Sequence, residues 1–130
     1  MIAFVLRRLL QGVIVMLVVG FIAFSLFNFV GVEFGVSAPA NAVDASTMTH
    51  LHVDVWSPNP SSNLEIQLVN DATGSAAIGK YQAGAIASGT WVSLEIPLSS
   101  FTGLTARTKL QQLLFVAAGP TVLYIDNVYF

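Results

Sequence analysis

The chain has 130 residues, of which 55% are hydrophobic and only 9% charged, whereas soluble domains carry about 25% charged residues. The net charge is -2, and only Lys80, Arg107 and Lys109 are basic beyond the N-terminus, so no basic patch is present to bind a nucleic-acid backbone. Cysteine is absent, which excludes a disulfide framework, a thiol nucleophile and a thiolate metal site.

An uncharged apolar run begins the chain. Residues 9–30 are twenty-two in number and lie between Arg8 and Glu33 without a charge. As a helix they would measure about 33 Å, enough to cross a hydrocarbon core of about 30 Å. Because Arg7 and Arg8 precede the run, the N-terminus is expected in the cytoplasm. The sequence therefore predicts a single-pass membrane protein, with 1–30 as anchor in the lipid bilayer and a periplasmic or extracellular C-terminal domain.

A cleaved signal segment is the alternative for the same residues. An A-x-A site, Ala38-Pro39-Ala40, precedes Asn41, and cleavage there would leave a secreted protein. The apolar run is longer than the roughly 7–15 residues of a signal-peptide core, which favours a retained anchor. A helix ending near Phe27 would already span the bilayer core, so strand pairing could begin almost at once.

The first residues also resemble a transporter segment. Residues 1–11, MIAFVLRRLLQ, together with the apolar run up to residue 31, resemble the first transmembrane helix of dipeptide/oligopeptide ABC-transporter permeases. No second apolar run of sufficient length follows. The resemblance therefore does not carry a transport function.

The remainder, 31–130, is predicted to be a mainly β domain. Short runs of alternating apolar and polar residues are separated by turn residues such as Ser57-Pro58-Asn59-Pro60. Seven strands are predicted, at 31–36, 49–57, 64–70, 78–83, 90–98, 110–117 and 121–130. This spacing favours an antiparallel, jelly-roll-like β-sandwich. The segment 98–107 is predicted to be an irregular crossover with Phe101 and Leu104 directed inward.

Three segments of this domain carry a second resemblance. They are DASTMTHLHVDVW at 44–56, GTWVSLEIPLSSFTGL at 89–104 and YIDNVYF at 124–130. Together they resemble carbohydrate-binding-type β-sandwich modules of secreted bacterial glycoside hydrolases, over residues 28–130. The resemblance implies non-catalytic binding of a polysaccharide or oligosaccharide. It leaves open a structural calcium ion at Asp126, and no other cofactor is predicted.

The same resemblance indicates an incomplete module. Such modules have several tens of residues, including a strand, before the matching region, and here the apolar segment occupies that place. A missing strand would leave an open sheet edge, which favours self-association through that edge.

Alternation within three strands selects the candidate binding residues. Leu51, Val53 and Val55 would form an apolar face continued by alternate residues of 64–68 and 92–96. If the three strands share a sheet, the opposite face combines an indole with polar groups, as sugar binding requires. The predicted carbohydrate site consists of His50, Asp54, Trp56, Glu65 and Gln67.

Trp91 also falls on that opposite face, but its position after a Gly-Thr turn predicts that it seals one end of the sandwich.

Metal binding and catalysis have less support in the sequence. His50, His52 and Asp54 alternate along one strand, about 6.6 Å apart, but no motif supplies a fourth ligand, and no metal site is predicted. The chain contains no nucleophile elbow, P-loop or dinucleotide-binding fingerprint. Asp54, Glu65 and Glu95 could be neighbours, but glycosidases hold their acids in a deep cleft. We therefore expect a protein that is not an enzyme.

Two other functions remain open. An apolar N-terminal helix followed by a β-domain is also the arrangement of pilin-like filament subunits, although no prepilin-type cleavage site precedes the apolar run. Alternatively, the chain is a composite of two unrelated segments with no evolved function.

Overall fold

The computed structural model of the chain describes residues 1–26, 29–71, 74, 76–118 and 122–130, and it excludes the side chains of 18–30, 61 and 62. It contains a helix, α1, followed by strands β1 to β7. Their bounds are Ile2–Leu26 for α1 and Phe29–Glu33, His50–Trp56, Ser61–Asn70, Ala77–Ile86, Val92–Pro97, Leu110–Ala117 and Tyr124–Tyr129 for the strands. Residue 121 of the last predicted strand lies outside the described residues.

The N-terminal helix differs from the predicted membrane segment 9–30. It ends at Leu26, and β1 begins at Phe29, so the end of the predicted segment belongs to a strand. The reason is backbone pairing with β6, in which Phe29 lies opposite Val116. Residues 27 and 28 lie outside the described residues. Within the described part of the chain, no helix has both the length and the apolar character needed to cross a membrane. The single-pass topology stays a prediction.

The strands form two antiparallel sheets, which confirms the prediction of a mainly β chain with antiparallel pairing. The first sheet has the order β1-β6-β3-β4, and the second has the order β5-β2-β7. The seven predicted strands correspond in order to β1–β7 with shifts of a few residues at their ends. The chain thus passes from β2 in the second sheet to β3 in the first.

Both sheets contribute to one hydrophobic core. Leu51, Val53 and Val55 of β2 are fully buried, as are Leu64 and Ile66 of β3. All of them belong to the same cluster, whose other buried members are Ala45, Leu68, Ile86, Ile96, Leu98, Phe101, Leu110, Leu113 and Phe115. The alternation read from the sequence therefore identifies the core faces of β2 and β3 correctly, since period-2 patterning reports which face is buried.

The connection after β5 packs across β4. Phe101 is buried, and Leu104 packs against the core, which confirms the predicted inward direction of both. A Cβ atom at Gly79 of β4 would lie 2.5 Å from Cβ of Leu104, so glycine is required for this approach. Thr102 and Lys80 exchange two backbone hydrogen bonds of 2.9 Å each.

An apolar cleft lies where β1 and β6 of the first sheet meet β7 of the second. Its volume is about 360 Å³, and it is lined by Val32, Phe34, Val43, Leu113, Phe115, Ile125, Val128 and Phe130. Val32 and Val128 remain 54% and 43% exposed. Strand β7 is an edge of the second sheet in this order. Self-association through an open sheet edge stays a prediction.

Two isoleucines on neighbouring strands test the position of the core. Ile66 is fully buried, whereas Ile78 is 45% exposed. We expect Ile66→Ala to lower the free energy of unfolding by about 2–5 kcal/mol, because it removes buried methyl groups and leaves a cavity. Ile78→Ala should cost less than about 1 kcal/mol. Urea titrations followed by tryptophan fluorescence measure both, and equal losses in the two variants would contradict this core.

Candidate functional site

Strand β2 positions the candidate site because it is the central strand of the second sheet. Its residues Leu51, Val53 and Val55 are directed into the core. Successive side chains of a strand point to opposite faces, so His52, Asp54 and Trp56 lie on the outer face. This outer face of the second sheet is completed by β5 on one side and β7 on the other.

A bulge in β7 adds a polar group to this face. His52 is paired with Tyr129 and Asp54 with Asp126, so β7 has one residue more than β2 over the same length. The extra residue lies at Asn127, which has a positive φ of 49°, a conformation that asparagine tolerates better than most residues. Its side-chain Nδ2 consequently reaches Asp54 and donates a hydrogen bond to Oδ2 over 2.7 Å.

Aromatic side chains occupy one end of the outer face. The rings of Trp56 and Tyr124 are in edge contact, with centroids 5.4 Å apart and an interplanar angle of 66°. Trp91 directly precedes β5, whose first residue, Val92, is paired with Val55 of β2. Tyr124 and Trp91 are 56% and 52% exposed. About half of the Trp91 surface remains in solvent, and the expectation that it seals one end of the domain stays a prediction.

Asp54 is the centre of the polar part of the face. Its Oδ1 accepts a hydrogen bond from Oγ of Ser93 over 2.5 Å, and Nε2 of His52 lies 3.2 Å from the same oxygen. With the bond from Asn127, the carboxylate is surrounded by donors. Hydrogen bonds from Ser93 and then Asn127 lower the pKa of Asp54 below its ordinary value, because they stabilise the charged form.

His52 lies between two carboxylates. Its Nδ1 is hydrogen bonded to Oε1 of Glu95, while its Nε2 faces Asp54. Its ring stacks on that of Tyr129, with centroids 4.6 Å apart and planes inclined by 13°. Only the protonated imidazole can donate from both nitrogens. The hydrogen bond to Glu95 accordingly raises the pKa of His52, while partial burial opposes the rise.

A small cavity lies beside His52 at the end opposite the tryptophans. Its volume is about 230 Å³, and its lining includes His50, His52, Glu95 and Tyr129. His50 is exposed, and its Nδ1 is 2.8 Å from Oγ1 of Thr49. The outer face thus has stacking surfaces at both ends and hydrogen-bonding groups between them.

The structure separates the five residues predicted to form one carbohydrate site. His50, Asp54 and Trp56 lie on β2 in the second sheet, whereas Glu65 and Gln67 lie on β3 in the first. There Glu65 accepts hydrogen bonds from the side chains of Gln67 and Gln82. The predicted site required β2, β3 and β5 to share one sheet. Strands β2 and β5 do so, but β3 belongs to the other sheet.

Sequence reasoning missed the contribution of β7. Tyr124, Asn127 and Tyr129 all contact side chains of β2, and none of them was a predicted site residue. The order Tyr124-Ile125-Asp126 could have indicated Tyr124, because it places Tyr124 and Asp126 on the face opposite the apolar Ile125. The bulge at Asn127 leaves no local signal in the sequence, because it depends on the partner strand.

Metal binding gains no support from the described residues. Among them, no group of three or more histidine or acidic side chains is arranged to hold an ion. Oδ1 of Asp126 accepts the backbone N–H of Asn127 over 2.8 Å. The calcium ion that the resemblance implies stays a prediction.

Comparisons with known proteins do not assign the chain to a group: no family model matches it, and neither a curated protein nor a solved structure is significantly similar.

The position of His52 predicts its titration. The pKa of His52 should lie above the ordinary 6.5. The interaction of the protonated imidazole with Glu95 therefore stabilises the fold fully at pH values below about 6.5. This stabilisation is lost as the pH rises through the higher folded-state pKa. Glu95→Gln should lower the pKa of His52 because the accepting charge is removed. NMR titration of the imidazole C–H signals measures both, and Glu33→Gln on β1 is the control. An unchanged pKa in Glu95→Gln would contradict the assigned contact.

Proposed function

We propose that the chain is a non-catalytic carbohydrate-binding domain, and that it binds sugar on the outer face of its second sheet. The observation that carries this proposal is the contact of Trp56 with Tyr124, both on the outer face, two residues along the strand from the hydrogen-bonded carboxylate of Asp54. A pyranose ring has an apolar C–H face and a rim of hydroxyl groups. It therefore needs an aromatic surface and fixed hydrogen-bonding groups side by side.

The arrangement supports binding rather than hydrolysis. The pKa of Asp54 is lowered by its donors, whereas a general acid needs a carboxyl group that stays protonated near neutral pH. Glu95 is engaged by His52, and Glu65 belongs to the other sheet. An open face of this kind buries little of a ligand, and we expect dissociation constants in the micromolar to millimolar range.

The proposal includes a fold and a location. A β-sandwich of jelly-roll type is supported by the hydrophobic cluster that side chains from both sheets share. Display outside a membrane, or secretion, is supported only by the uncharged apolar sequence between Arg8 and Glu33. In this proposal, that N-terminal segment anchors or exports the domain.

Replacement of Trp56 tests the binding face. We expect Trp56→Ala to weaken binding by about tenfold, because the stacking contribution and the buried ring area are lost together. Affinity electrophoresis of the full chain in gels containing soluble polysaccharides, after a glycan array has selected them, measures the loss.

The matched control is Glu65→Gln, a polar change on the outer face of the first sheet. It should leave retardation in the gel unchanged, since Glu65 lies away from the proposed face. Circular dichroism verifies that both variants are folded. Equal retardation of a folded Trp56→Ala variant and the wild type would contradict a role of Trp56 in the proposed binding face.

A further inference from the structure

Apart from histidine, the charged side chains on the three strands of the proposed binding face are all negative. Its three strands, β2, β5 and β7, contain Asp54, Glu95 and Asp126 but no lysine or arginine. Asp54 and Asp126 are direct partners across β2 and β7, and Glu95 is the partner of His52 across β2 and β5. The three carboxylates therefore lie at neighbouring cross-strand positions on one face of the second sheet.

Two of these carboxylates keep capacity for a ligand. A carboxylate can accept about four hydrogen bonds. Glu95 is bonded to His52 through Oε1, and its side chain is 61% exposed. Asp126 is exposed and uses Oδ1 for the backbone of Asn127. Asp54, by contrast, is 17% exposed and bonded to three side chains.

The positive charge on the face is limited to histidine. His52 lies between Glu95 and Asp54, and when protonated it offsets one of the three negative charges. His50 lies at the end of β2 and is exposed. The face therefore remains net negative when only His52 is protonated.

We propose that this face selects a cationic amino sugar, a chain of β-1,4-linked glucosamine with free ammonium groups, over neutral glycans of the same backbone. The inference rests on the proposed carbohydrate-binding function. A ring stacked on Trp56 and Tyr124 brings the next ring over the row of Asp54 and Asp126, about 6.6 Å along the strand. There an ammonium group pairs with a carboxylate, whereas a uronic acid would be repelled. A protonated amine beside the indole also gains a cation–π contribution.

Three hexasaccharides with one β-1,4-linked glucose backbone isolate the effect of charge. They differ only at C2, which carries a free amino, an N-acetylamino or a hydroxyl group. Titration calorimetry with the full chain in mild detergent, at about pH 6 so that amino groups are protonated, compares their affinities. Exposed ion pairs contribute a few-fold each, so we expect the amino form to bind about tenfold tighter than the hydroxyl form. This preference should fall at high salt.

Substitutions test whether the preference for the amino form arises on the proposed binding face. The double variant Glu95→Gln/Asp126→Asn should lose most of the preference for the amino form over the hydroxyl form. Glu33→Gln removes the same kind of charge from β1 in the first sheet, and it should leave the preference unchanged. Trp56→Ala should weaken binding of all three hexasaccharides.

The outcomes separate this inference from the proposed function. Equal affinities, or tighter binding of a neutral hexasaccharide, would overturn the charge selection and leave the carbohydrate-binding proposal intact. A preference that persists in the folded double variant would also overturn it, because the cation would then bind elsewhere. Failure of all three hexasaccharides and of the glycan array to bind would overturn both.

Discussion

The candidate site depends on the burial of one side of β2. Leu51, Val53 and Val55 are completely buried in the hydrophobic cluster to which both sheets contribute, and their burial holds the strand in a single register. Because side chains alternate, a slip of one residue would exchange the two faces. It would bring His52 and Asp54 into the core, where an unpaired charge is costly. The apolar side of the strand thus determines which groups the polar side exposes on the outer face.

The bulge in β7 shows how backbone geometry completes the polar face. A regular strand would direct only one of Asp126 and Asn127 outward. The extra residue lets both lie on the outer face, and the amide of Asn127 satisfies Asp54. The carboxylate is then fixed by donors from β5 and β7 at once.

Local patterns predicted the strands well and their partners less well. The alternation in 49–57 and 64–70 identifies the core side of both strands, since period and burial are local properties. The two segments have the same pattern, yet one joins β5 and β7 and the other joins β4 and β6. Their allocation to different sheets depends on non-local pairing, and Glu65 and Gln67 were therefore placed with Trp56 incorrectly. The helix ends at Leu26, close to the end near Phe27 that bilayer thickness predicts, and the pairing of β1 with β6 begins within the same apolar run.

The two backbone hydrogen bonds between Lys80 and Thr102 have a consequence for the edge of the first sheet. Strand β4 terminates the first sheet, and a bare terminal strand is a template on which a neighbouring molecule can polymerise. The connecting segment occupies the outward N–H and C=O of Lys80, and the missing side chain at Gly79 lets it lie flat against the strand. The connection thus blocks the addition of a further strand at this position of β4.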